Sequence, residues 1–155
     1  MFWTAWVSRK DDSIYRADMD GSHPTRLVAG LRGAKGITID FQSSRLFWTS
    51  GHSIQSSTMQ GTDVRTVIQG TADTYPYGIA VFGDKMYWSD YVNRQLETGS
   101  KTGQDIRVLH TGSDTIWQIA VSLPLNLSTT RTNPCETHSC PKFCVLTPTS
   151  FKCIS

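Results

Sequence analysis

Hydrophobic and polar positions alternate along this chain in short runs, each closed by glycine or a polar turn. "GITID" at Gly36 and "GIAVF" at Gly78 are β-branched or aromatic runs of strand length. "RLFWT" and "KMYWS" follow them across "FQSS" and "FGD", connections short enough for hairpins. "SIYRADMDG" and "SIQSSTMQG" alternate and end at a glycine turn, and "TRLVAG", "RTVIQG" and "RVLHTG" each close on glycine. No 3.6-residue period persists over a helix length, so the chain is predicted to be all-β.

These runs recur in register. Trp3, Trp48 and Trp88 stand 45 and then 40 residues apart. "MDGSHPTRLV" from Met19 aligns with "MQGTDVRTVI" from Met59 and "KTGQDIRVLH" from Lys101, so Gly21, Gly61 and Gly103 share one position. "GITID", "GIAVF" and "QIAVS" at Gln118 form a third matched row. Four short strands in roughly 40 residues is the arithmetic of a β-propeller blade. About three four-stranded blades, an incomplete set, are predicted. A tryptophan on the second strand of a blade buries roughly 150–250 Å² between neighbouring sheets, so the three rings are assigned to packing.

Composition narrows the function. The 155 residues are 38% hydrophobic and 18% charged with a net charge of +2, a globular make-up that argues against nucleic acid or a membrane surface as partner. No apolar run reaches the roughly 20 residues of a bilayer span, and the first residues lack a basic leader segment, so neither signal peptide nor anchor is expected. The histidines His23, His52, His110 and His138 fall in different rows or loops, and no catalytic or phosphate-binding motif is present. The chain is therefore read as a non-enzyme with no cofactor.

The cysteines form a separate unit. None precedes Cys135, and Cys135, Cys140, Cys144 and Cys153 follow at spacings C-x4-C-x3-C-x8-C. Even with His138 among them, the pattern lacks the two close ligand pairs of a structural zinc site. Disulfides are expected and no metal, though four cysteines permit three connectivities. Asn126 opens a glycosylation sequon, Asn126-Leu127-Ser128, within a Ser-, Thr- and Pro-rich linker. The expected organisation is blades over 1–123, linker over 124–134 and a stapled module over 135–155.

Phe2-Trp3-Thr4-Ala5, Phe47-Trp48-Thr49-Ser50 and Tyr87-Trp88-Ser89-Asp90 resemble the YWTD motif, with "DG" or "TG" downstream and "PYGIAV" before a later copy. The chain thus resembles the YWTD β-propeller and EGF-like region of the low-density lipoprotein receptor and its related proteins. The resemblance implies the C-terminal half of one six-bladed propeller followed by a truncated EGF-like disulfide module. It implies the pairs Cys135–Cys144 and Cys140–Cys153. It also implies the extracellular or lumenal part of a single-pass membrane receptor. Only Asp90 keeps the motif's aspartate; Ala5 and Ser50 replace it. The Trp-to-Ile or Trp-to-Leu spacings also differ, being eleven to Ile14, six to Ile54 and eight to Leu96.

In a propeller, the turns after the second strands converge at one end with those that enter the next blade. Trp6, His52, Tyr91 and Arg94 belong to the first set, and Tyr75, Tyr77 and Trp117 to the second. Aromatic residues and arginine are common interface anchors, so these seven form the candidate ligand face. The function expected from the resemblance is binding and release of protein ligands by an endocytic receptor, this chain being a piece of it. A Wnt co-receptor ectodomain and a nidogen-like basement-membrane protein are the alternatives. Half a propeller exposes a blade face at each end, so a short product would bury them by dimerisation.

Overall fold

The computed structural model describes residues 1–6 and 11–121 in full, together with the backbone of 143–146 and 151–154. The strands are β1 (Phe2–Ala5), β2 (Asp12–Arg16), β3 (Thr25–Leu31), β4 (Ala34–Asp40), β5 (Arg45–Ser50), β6 (Ser53–Thr58) and β7 (Arg65–Gln69). There follow β8 (Pro76–Phe82), β9 (Lys85–Asp90), β10 (Gln95–Ser100), β11 (Arg107–Thr111), β12 (Phe143–Leu146) and β13 (Phe151–Ile154). They form antiparallel meanders in chain order: β1-β2-β3, β4-β5-β6-β7 and β8-β9-β10-β11, with β12-β13 a separate hairpin. The first sheet begins at the position of β5 in the second.

The matched rows superimpose as structure. Thr4 lies opposite Ile14, Thr49 opposite Ile54 and Ser89 opposite Leu96, so three connections of unequal length arrive at one register. Gly21, Gly61 and Gly103 have φ of 84, 77 and 82°, and two residues on, His23, Asp63 and Asp105 have φ of 53, 52 and 54°. One turn has been built three times.

Alternation along the second strand of each blade supplies both interfaces. Trp48 is fully buried with Ile14, Val28, Leu31, Ala34 and Leu46, between the first two sheets. Its neighbour Phe47 faces the other way, into a cluster with Ile54, Ile79, Met86 and Trp88 between the second and third. Truncating such a ring costs about 3–5 kcal/mol. Each indole meets the residue opposite it in the ladder: Trp3 stacks on Tyr15 with centroids 5.5 Å apart, Trp48 donates its N–H to Gln55 at 3.1 Å, and Trp88 donates to Glu97.

A row of buried hydroxyls ties the inner strands. Thr49, with no exposed surface, accepts the Gly36 N–H at 3.0 Å and donates to the Tyr77 carbonyl of the next blade at 2.8 Å. Thr4 donates to the Lys35 carbonyl at 2.8 Å, and Ser89 accepts the Gly78 N–H at 2.9 Å. The glycines are needed for closeness. A Cβ on Gly36 would stand 2.5 Å from the Tyr77 carbonyl oxygen, and one on Gly78 would stand 2.9 Å from the Trp117 carbonyl oxygen. Segment 117–119 therefore lies against β8 as β8 lies against β4. The expected strand at Gln118 is, however, not formed: segment 115–121 has no ladder partner among the described residues.

On the side of the outer turns, Lys101 reaches back from the third sheet to Asp40 of the second at 2.7 Å, the carboxylate 5% exposed. Burial raises the Asp40 pKa, but hydrogen bonds from Lys101 and Ser43, with the Lys101 charge, leave it lowered. In the tail hairpin the Cα of Cys144 pairs with that of Cys153, whereas Cys135, Cys140 and Asn126 lie outside the described residues.

Two outcomes follow from these contacts. Thr49→Val should leave the buried Gly36 N–H and Tyr77 carbonyl without their partner and destabilise the fold by about 1–3 kcal/mol in urea melts, while Thr49→Ser should retain most stability because it keeps the hydroxyl, the group by which Ser89 accepts the Gly78 N–H. Glu97 is held above its ordinary pKa by burial and the Asp90 charge, against the opposing Trp88 hydrogen bond. Its ionisation therefore opposes folding as pH rises from the unfolded carboxyl value of 4.5. Glu97→Gln, which copies the Gln55–Trp48 pair, should raise stability at pH 7 and change it little below that value. Urea melts at both pH values measure the difference.

Candidate functional site

The inner-strand row places Lys35, Tyr77 and Trp117 at one repeat position, each immediately before Gly36, Gly78 or Gln118. The residue after each YWTD-like motif supplies the second position, held by Trp6, Gly51 and Tyr91. These two positions meet at one end of the sheets. Tyr77 and Trp117 pack edge-to-face with centroids 5.3 Å apart, and Tyr91 stands 5.1 Å from Trp117 and 6.1 Å from Tyr77. Tyr75 joins edge-on to Tyr91 at 6.3 Å and to His52 at 5.8 Å. The Lys35 ammonium lies 5.6 Å from the Trp6 ring centroid and 5.9 Å from that of Tyr77.

Lys35, Tyr75, Tyr77, Tyr91, Val92 and Trp117 line an open cavity of about 400 Å³ with a mainly apolar wall. Large apolar rings remain in water here: Trp6 is 69% exposed, Trp117 53% and Tyr91 41%. Solvent-facing aromatic side chains gathered around a cavity make this face the candidate site.

Asp90 sets this corner. Its carboxylate accepts the Tyr75 N–H at 2.9 Å and the Asn93 N–H at 2.7 Å, while the Tyr91 N–H bonds the Tyr75 carbonyl at 2.9 Å. One motif aspartate thus holds the loops of Tyr75 and Tyr91, two of those that carry the aromatic cluster. In the second blade Ser50 instead donates to the Arg32 carbonyl at 3.2 Å, and Gly51 N–H bonds the Gly33 carbonyl at 3.3 Å. Loss of the aspartate changes the side-chain contact and keeps the backbone bridge. The space beside Gly33 is taken by the Tyr75 hydroxyl, which would stand 2.8 Å from a Cβ there.

Of the seven candidate face residues, Trp6, Tyr75, Tyr77, Tyr91 and Trp117 come together, with His52 at the margin. Arg94 does not join the rings. It occupies the repeat position of Asp12 and His52, and all three span to the backbone entering the next blade. Asp12 accepts the Ala34 N–H at 2.9 Å, His52 bonds the Thr74 carbonyl at 2.6 Å, and Arg94 donates to the Ser113 carbonyl at 2.9 Å. The sequence reading missed Lys35 and Val92. The signal for Lys35 was available, since it precedes Gly36 as Tyr77 precedes Gly78.

Several curated proteins are similar to this chain in sequence. The chain is 33% identical over 150 residues to the vitellogenin receptor Yl of Drosophila melanogaster, covering 94% of the chain and 7% of that protein. It is 30% identical over 153 residues to the vitellogenin receptor of Solenopsis invicta, covering 94% of the chain and 8% of the receptor. The chain is homologous to receptors of the low-density lipoprotein receptor family. Low-density lipoprotein receptor-related protein 5 of Mus musculus is 37% identical over 101 residues, which are 64% of the chain and 6% of that protein. This family relative, like the other two, is far longer than the chain, which spans less than a tenth of each. Among solved structures, a chain of a nidogen/laminin complex superimposes with a TM-score of 0.61 at 29% identity, over 68% of this chain and 42% of that one. No family model matches the sequence.

Proposed function

We propose that this chain is the ligand-binding and release segment of an extracellular receptor of the low-density lipoprotein receptor-related, endocytic type, acting by protein–protein contact without catalysis. The observation that carries this reading is the exposed aromatic cluster around Lys35, built from two positions of the repeat and left open to solvent. Buried rings would need no other explanation than packing; Trp6, Tyr91 and Trp117 are not buried. Interface anchors are typically such rings, set where a partner can desolvate them.

The vitellogenin receptors among the relatives make vitellogenin the first ligand to test. The superposition on a nidogen/laminin complex supports a second, basement-membrane reading with laminin as partner. A Wnt co-receptor piece remains the third. An EGF-like tail with the pairs Cys135–Cys144 and Cys140–Cys153, and a glycan on Asn126, belong to the same extracellular reading.

Surface plasmon resonance of the immobilised chain against purified vitellogenin and laminin separates these. One of the two should bind at neutral pH, and Tyr91→Ala or Trp117→Ala should weaken it about tenfold or more with the circular dichroism spectrum unchanged. Binding indifferent to both substitutions removes this face from the function.

A further inference from the structure

Lys35 differs from the other half-buried lysine of the inter-blade surfaces. Lys101 is neutralised by Asp40 at 2.7 Å. Lys35 makes no ion pair among the described residues, and its ammonium rests against the rings of Trp6 and Tyr77. Ring faces attract a cation but leave its charge uncompensated. In the middle blade the position held elsewhere by Trp6 and Tyr91 is Gly51, so the blade that carries Lys35 raises no ring of its own there.

We propose, on the reading that this face binds a protein, that the partner inserts an acidic side chain, aspartate or glutamate, onto Lys35 with an apolar side chain beside it in the cavity. A carboxylate meets the one charged side chain among the described residues that line the cavity, on an open face where the attraction is modest and screened by salt. The apolar neighbour is received by Tyr77, Tyr91, Val92 and Trp117, which line the same cavity. Ring clusters of this kind also take cationic side chains. Here Lys35 already occupies the faces of Trp6 and Tyr77, and a second cation brought into the cavity would be repelled. The sign of the wall charge therefore selects an acidic partner.

The test uses three small probes: acetyl-Asp-Leu-amide, acetyl-Asn-Leu-amide and acetyl-Lys-Leu-amide. Each is titrated into the chain while the indole N–H resonances of Trp6 and Trp117 are followed by NMR. The aspartyl probe should shift both resonances and bind about fivefold tighter than the asparaginyl one. High salt should reduce that preference. Lys35→Met should abolish it, and Lys35→Arg should keep it, with the remaining spectrum unchanged in both. Equal binding of the aspartyl and asparaginyl probes, tighter binding of the lysyl probe, or a preference that survives Lys35→Met overturns the proposal. So does the absence of any shift with all three. If all three bind equally and Trp117→Ala removes them, the acidic preference falls while the binding face stands.

Discussion

The hydroxyl of the YWTD-like motif is the contact on which the rest depends. Thr49 accepts a hydrogen bond from the inner strand of its own blade at Gly36 and donates one to the inner strand of the next at Tyr77. Both partners are backbone groups, which must be satisfied once buried. The contact works only if the two strands approach within the reach of one small side chain. That approach forbids a Cβ on Gly36 and makes the glycine row as binding a constraint as the hydroxyl row. Trp48 and Trp88 then fill what remains between sheets, where the hydroxyls set the distance.

The site inherits its geometry from this row. Tyr77 contributes its carbonyl to Thr49 and its ring to the cavity, and Lys35 contributes its carbonyl to Thr4 and its ammonium to the same cavity. A residue whose backbone is pinned on the buried side presents its side chain at a fixed place on the exposed side. The rim depends in the same way on Asp90, which holds the loops of Tyr75 and Tyr91. Chemistry on this face can thus vary residue by residue, as Lys35, Tyr77 and Trp117 do, with the frame unchanged.

Much of this was readable in the sequence because period, turn and hydroxyl recur together. The Trp3, Trp48 and Trp88 spacing, with the Gly21, Gly61 and Gly103 turns, is sufficient to place strands and their order. The aromatic face followed from where turns converge. Other features were hidden for physical reasons. Segment 115–121 carries the β-branched pattern of a strand, but pattern supplies no ladder partner. Arg94 and His52 have the composition of interface residues, yet a positively charged or imidazole side chain serves equally well to reach a neighbouring carbonyl. Lys35 does not stand out by residue type, because one lysine in a globular chain usually marks solvent; its place in the glycine row is what distinguishes it.

Hydrogen exchange at the Gly36 and Gly78 amides tests the central contact most directly. Both N–H groups point at a side-chain hydroxyl, not at a ladder carbonyl, so their protection reports the hydroxyl row itself. The account predicts that both exchange as slowly as the ladder amides of β5 and β9, and only through global unfolding. Exchange at the rate of the exposed turns, with β5 and β9 still protected, would show that the hydroxyl row does not hold the inner strands in this way.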